Sequence, residues 1–199
     1  MFAAQSRRCF KPLPDGQSAN PIHRCDANPS KELIMAGKIN FLGHPVHPML
    51  IVFPLGLLPT ALACDAIYWV THNPNWGHIA YWLIAAGVLS GMVAAIFGFA
   101  DWWALDSGTR AKRLGVWHLV VNDIMLILFA LSWWLRRGAP NIPTPIATGL
   151  AVVALLFGGI GGWLGGELVY RLSVGVDFDA HVDSPSSLSG RPANENKNG

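Results

Sequence analysis

The chain has 199 residues, of which 52% are hydrophobic and only 13% charged, where a soluble domain carries about 25% charged. This excludes a disordered or collagen-like chain and, with three cysteines, a disulfide scaffold. A net charge of +2 is too small for a nucleic-acid binder, so no nucleic-acid partner is expected.

In chain order, residues 1–39 are a polar, proline-containing tail expected to be disordered. They lack the apolar core of a secretory leader, so no cleavage is expected, and Met35 is an alternative start. A transmembrane domain is expected over 40–177, with spans at His47–Val70, Ile79–Ala100, Gly115–Leu135 and Pro145–Val169. Each exceeds the roughly 20 residues that cross a hydrocarbon core of about 30 Å. Among all charged residues only Asp65, Asp123 and Glu167 fall inside these stretches. Turns are expected at Asn73-Pro74-Asn75, Asp106-Ser107-Gly108 and Gly138-Ala139-Pro140-Asn141. Pro54 and Pro59 should kink the first span by freeing the carbonyls of Leu50 and Leu55. Residues 178–199, rich in Ser, Pro, Asn and Gly, are expected to be a second disordered tail.

The fold class is therefore all-α: an up-down bundle of four transmembrane helices in a lipid bilayer, with disordered cytoplasmic tails. Twelve of the 14 lysines and arginines lie in the two tails and the second loop, against two, Arg136 and Arg137, in the third. That bias places both termini in the cytoplasm. Trp102, Trp103, Trp117 and Tyr170 mark one membrane interface, and Tyr68, Trp69, Trp76, Tyr81, Trp133 and Trp134 the other. Gly158, Gly162 and Gly166 in the fourth helix, with Gly161 and Gly165 as a second pair, and Gly87 and Gly91 in the second helix form small-residue faces. They suit packing within the bundle or a homodimer.

The polar residues converge. In an alternating bundle His44, His47, Asp101, His118 and Glu167 all fall near the cytoplasmic end. Asn122 shares a helix face with His118, and Asp123 lies about 7.5 Å deeper and about 140° round. Asn122 and Asp123 are a supporting polar network in this reading. Asp65 lies about 27 Å along the first helix from His47, near the opposite face. Ionisable groups within spans are costly and mark function by default, although a satisfied network that fixes helix register would use the same residues.

The stretch HPVHPMLIVFPLGL (His44–Leu57), the His118, Asn122, Asp123 pattern and the ending GGWLGGELVYRLSVGV (Gly161–Val176) resemble a bacterial four-helix membrane family. It is catalogued as a domain of unknown function, family 2231. The resemblance covers about residues 40–177 and implies the fold and a bacterial inner-membrane location, without an activity. Relatives joined to Rieske-type or cytochrome c-type modules imply a redox neighbourhood, although this chain has no Cys-x-x-Cys-His or iron–sulfur pattern of its own.

Three readings follow. His47 (or His44) and His118, on diagonal helices, would hold a b-type haem for electron transfer with a redox partner or quinone; Asp101 and Glu167 would repel its propionates unless Arg110 or Arg171 intervenes. Alternatively His44, His47, Asp101, His118 and Glu167 would bind zinc or non-haem iron. In the third reading the cluster is structural or conducts protons in a non-catalytic subunit. Whether the protein is an enzyme stays open. No nucleophile elbow, phosphate loop or internal repeat is evident.

Overall fold

The computed structural model describes residues 39–177, 180–193 and 195. A short hairpin opens it, with β1 (Asn40–Phe41) paired antiparallel to β2 (His44–Pro45). Leu42 and Gly43 turn between them at φ of 51° and 80°, the two positive values that a type I′ turn needs. Five helices follow: α1 (Val46–Leu50), α2 (Val52–Thr71), α3 (Pro74–Ala104), α4 (Arg110–Leu135) and α5 (Pro145–Gly166). The last runs on into one wide π-type turn, Glu167–Arg171. α1 and α2 make one span, giving four spans long and apolar enough to cross a membrane, as the composition predicts.

Local chemistry sets the helix ends. Asn73, Thr109 and Thr144 each cap a helix through a side-chain oxygen, accepting from the N–H of Asn75, Lys112 and Ala147 respectively. Pro74 and Pro145 follow two of these caps at the first helical position, where a missing N–H costs nothing. α3 and α4 thus begin earlier than their apolar cores, which start at Ile79 and Gly115. The first span is interrupted at Ile51, because Pro54 has no N–H to offer the carbonyl of Leu50. The carbonyls of His47 and Ile51 still accept from Ile51 and Leu55, so the axis continues. Pro59 stays inside α2 without breaking it.

The first span packs along α3 and α4 along α5; the two helical hairpins meet mainly between α3 and α4, and more lightly between α2 and α5. The core is a single cluster drawn from all four spans: Leu58, Ala61, Cys64, Ala80, Ile84, Leu126, Phe129, Ala151 and Ala154. Four of its nine members are alanine, as expected where close backbone approach replaces a hydrophobic driving force.

The two hairpins repeat one another, a relationship not evident in the sequence. His47 meets His118 and Asp65 meets Arg136, and both pairs are 71 positions apart. Leu58 and Phe129 stand at the same offset, as do Ala61 and Ser132, and all four are almost fully buried. The caps Asn73-Pro74 and Thr144-Pro145 keep it too. Along α3 and α5 the offset becomes 67, matching Ala80 with Ala147, Gly91 with Gly158, Ala94 with Gly161 and Gly98 with Gly165. α3 therefore has one extra turn near its start.

Asp65, whose role the sequence leaves open, is fully buried and bonded through both oxygens to Arg136, at 2.7 and 2.6 Å. Arg136 also donates to Ser132 Oγ, which donates to the carbonyl of Ala147, and Tyr81 stacks on Trp133. One polar cluster thus links the first, third and fourth spans beside an aromatic contact from the second. Arg136 is therefore a bundle residue and not the free loop charge that its position at the end of the third apolar stretch suggests.

Of the tails, residues 1–38 lie outside the described residues, as do 178, 179, 194 and 196–199. The polar stretch 180–193 carries turns held by Ser184, which accepts from the N–H of His181 and donates to the carbonyl of Ala193, and a 3-10 turn at Ser187–Ser189. Ser187 rests against Gly43, where an added Cβ would stand 2.8 Å from the serine Cβ.

Replacing either ion-pair partner alone, Asp65→Leu or Arg136→Met, strands a buried charge and should lower stability by about 3–5 kcal/mol; the double variant should recover most of the loss. Thermal unfolding of the four proteins in one detergent checks this. Additive losses would show that the pair is not coupled.

Candidate functional site

The site lies at the end of the bundle that carries the amino-terminal hairpin. His47 sits in the first turn of α1 and His118 in the third turn of α4, both half-buried. His47 Nδ1 lies 2.9 Å from the carbonyl oxygen of Ala94 in α3, and His118 Nδ1 lies 3.0 Å from that of Gly161 in α5. A carbonyl can only accept, so each Nδ1 carries the proton; in the neutral ring the lone pair is then on Nε2. The two rings meet edge to face, with centroids 6.4 Å apart and planes at 86°.

Glycine makes both contacts possible, by the same device in each hairpin. Gly98 follows Ala94 by four residues, one turn on, and an added Cβ there would stand 2.8 Å from His47 Cε1. Gly165 follows Gly161 by four, and its Cβ would stand 3.1 Å from His118 Cε1. Each imidazole thus lies over a bare stretch of the neighbouring helix and reaches its carbonyl. Asn122 completes the arrangement: its Nδ2 donates to the carbonyl of His118 at 2.7 Å and lies 3.4 Å from the ring Nδ1 and 3.5 Å from Nε2, the ring nitrogen that can accept from it. Gly161 leaves room for it, since a Cβ there would stand 2.5 Å from Asn122 Oδ1.

The other expected site residues are placed differently. His44 is exposed in the hairpin, with Nδ1 3.2 Å from the carbonyl of Leu42. Glu167 accepts from Arg110 at 3.0 Å. Asp101, half-buried near the end of α3, has interactions of its own. Asp123 is exposed on the outer face of α4, apart from the network expected of it beside Asn122. The backbone explains this, since the next residue along a helix points about 100° away. Among the described residues no group of three or more His, Cys, Asp or Glu is placed to hold a metal ion.

The glycine faces also divide. Gly87 faces Leu58, Gly91 faces Leu126 and Gly158 faces Met125, so these pack within the bundle as expected. Gly162 has nothing within 4 Å of an added Cβ and Gly166 only Tyr170 of its own helix, so the inward face of α5 is Gly158, Gly161 and Gly165. The roles of Gly98 and Ala94 were missed. The available signal was the pair of small residues four apart, recurring 67 positions later at Gly161 and Gly165.

Four membrane-crossing helices in up-down order, with a histidine from each hairpin meeting at one end, define a multi-pass integral membrane protein. The chain matches the family described as predicted membrane protein (DUF2231) over residues 43–178 and belongs to that family. No curated protein and no solved structure matches it.

Gly98→Ala should push the His47 ring off the Ala94 carbonyl and destabilise the protein by about 1–3 kcal/mol, the usual cost of overpacking. Gly162→Ala, which meets open space, should not destabilise it. Melting temperatures of the two variants, measured side by side, test the assignment of inward and outward faces.

Proposed function

We propose that the protein is a redox-linked membrane subunit that binds a b-type haem between His47 and His118. The observation that carries this reading is a pair of histidines with both Nδ1 atoms tied to backbone carbonyls. That is the support that orients a ligating imidazole and leaves Nε2 to coordinate. His47 and His118 come from different hairpins, with ring centroids 6.4 Å apart, and would be the two residues that hold the group. A haem supplies four nitrogen ligands itself, so two protein ligands suffice. A zinc or non-haem iron site takes three or four from the protein, and the two histidines have no such company among the described residues. This favours haem over the bare metal.

When bound, the haem would supply one-electron chemistry. The chain's own residues hold the ligand rings in orientation through Ala94, Gly161 and Asn122, and bring helix backbone close beside them through Gly98 and Gly165. Glu167 is neutralised by Arg110 at that end of the bundle, which removes one of the two acids that would oppose propionates.

The location in this reading is the bacterial inner membrane with both termini cytoplasmic. The bias of twelve lysines and arginines in the tails and second loop against two in the third loop supports this orientation.

The visible spectrum of the detergent-purified protein, made with haem available, tests the proposal. A Soret band with the sharp reduced α-band of a low-spin bis-histidine haem is expected, lost in His47→Ala and in His118→Ala and retained in His44→Ala. A colourless wild-type protein, or pigment that survives His118→Ala, overturns it.

A further inference from the structure

The acidic groups of the spans are treated unequally. Asp65 is fully buried on Arg136, and Glu167 is bonded to Arg110. Asp123 is exposed on the outer face of α4, within a stripe of Val116, Val120, Ile127 and Leu131 that is exposed as well. Among the described residues it has no hydrogen-bond or ion-pair partner. It stands eleven residues past Lys112 and thirteen before Arg136, about 16 and 20 Å from either end of the span. In a hydrocarbon core of about 30 Å that is close to mid-depth. An aspartate side chain is too short to snorkel from there to water, as a lysine or arginine does. A carboxylate facing lipid at this depth lowers the partitioning of its helix on the order of a hundredfold.

The fold does not require the charge. The position equivalent to Asp123 in the first hairpin, 71 residues earlier, is Val52, which is also exposed. We propose that the Asp123 stripe of α4 docks a transmembrane helix of another protein that presents a lysine or arginine near its own midpoint. Charge complementarity identifies the occupant. Among the described residues a second copy of this chain offers no lysine or arginine at that depth, because Arg110, Lys112, Arg113, Arg136, Arg137 and Arg171 lie at the ends of the spans and Arg191 lies beyond them. A helix from another protein would bring a cation to that depth, and the apolar neighbours of Asp123 provide the surface against which such a helix would pack. The inference is independent of the histidine pair.

The test uses the full chain in vesicles of phosphatidylcholine with a minor share of phosphatidylglycerol. The probe is a fluorescent polyleucine transmembrane peptide with one central lysine, compared with an all-leucine peptide. Energy transfer should report association of the lysine peptide about tenfold tighter than that of the control. The preference should disappear in Asp123→Val, which installs the residue of the equivalent position, and shrink in Asp123→Asn. Equal association of both peptides, or a lysine preference unchanged in Asp123→Val, overturns the proposal. So does Asp123-dependent energy transfer between two labelled copies of the protein, which would make the occupant a second copy.

Discussion

The bundle is tied together by side chains at equivalent positions of its two hairpins, which reach from the first span to the third across its centre. His47 and His118 meet at one end, Asp65 and Arg136 at the other, and Leu58, Phe129, Ala61 and Ser132 are buried between these levels. In lipid, apolar side chains gain little by leaving the surrounding medium, so helices associate through close packing and through polar groups that need partners. The buried ion pair is the strongest such demand here. Either charge alone would be prohibitive, and together they fix the relative depth of the two hairpins to within the length of a hydrogen bond.

That constraint positions the histidine pair. With the far end pinned by Asp65 and Arg136, matching positions of the two hairpins stay level along the bundle, and residues 18 positions earlier in each meet at the near end. The hydrogen bonds of the rings are then made within each hairpin, to Ala94 and to Gly161, so each histidine is oriented by its own hairpin and opposed by the other. The site is a product of the repeat, and its two halves differ in Ala94 against Gly161 and in Asn122, which braces His118 alone.

Much of this was legible in the sequence. The four spans, their order and the proximity of His47 to His118 follow from hydropathy, length and alternating direction, because lipid leaves helices as the only way to satisfy the backbone of such segments. The finer placement was not. The expected network groups Asp123 with Asn122 although helical geometry turns it about 140° from His118, and it stands exposed on the outer face, apart from that network. Arg136 looked like a loop residue because it follows the last apolar residue of its span, yet its side chain reaches back to Asp65. The glycines of α5 were recognised as a packing surface. Choosing Gly161 and Gly165 over Gly162 and Gly166 as the inward face required knowing how that helix is turned, which its uniformly apolar sequence does not specify.

The repeat is broken most sharply at the ion pair, where one hairpin carries an acid and the other a base at the same position. Two copies of the first hairpin joined in the same way would set carboxylate against carboxylate, and two copies of the second would set guanidinium against guanidinium. Each half of the chain is thereby made a poor partner for its own kind and a good one for the other. During insertion into a crowded membrane this asymmetry guards against mispairing between neighbouring nascent chains at the level of the half-molecule.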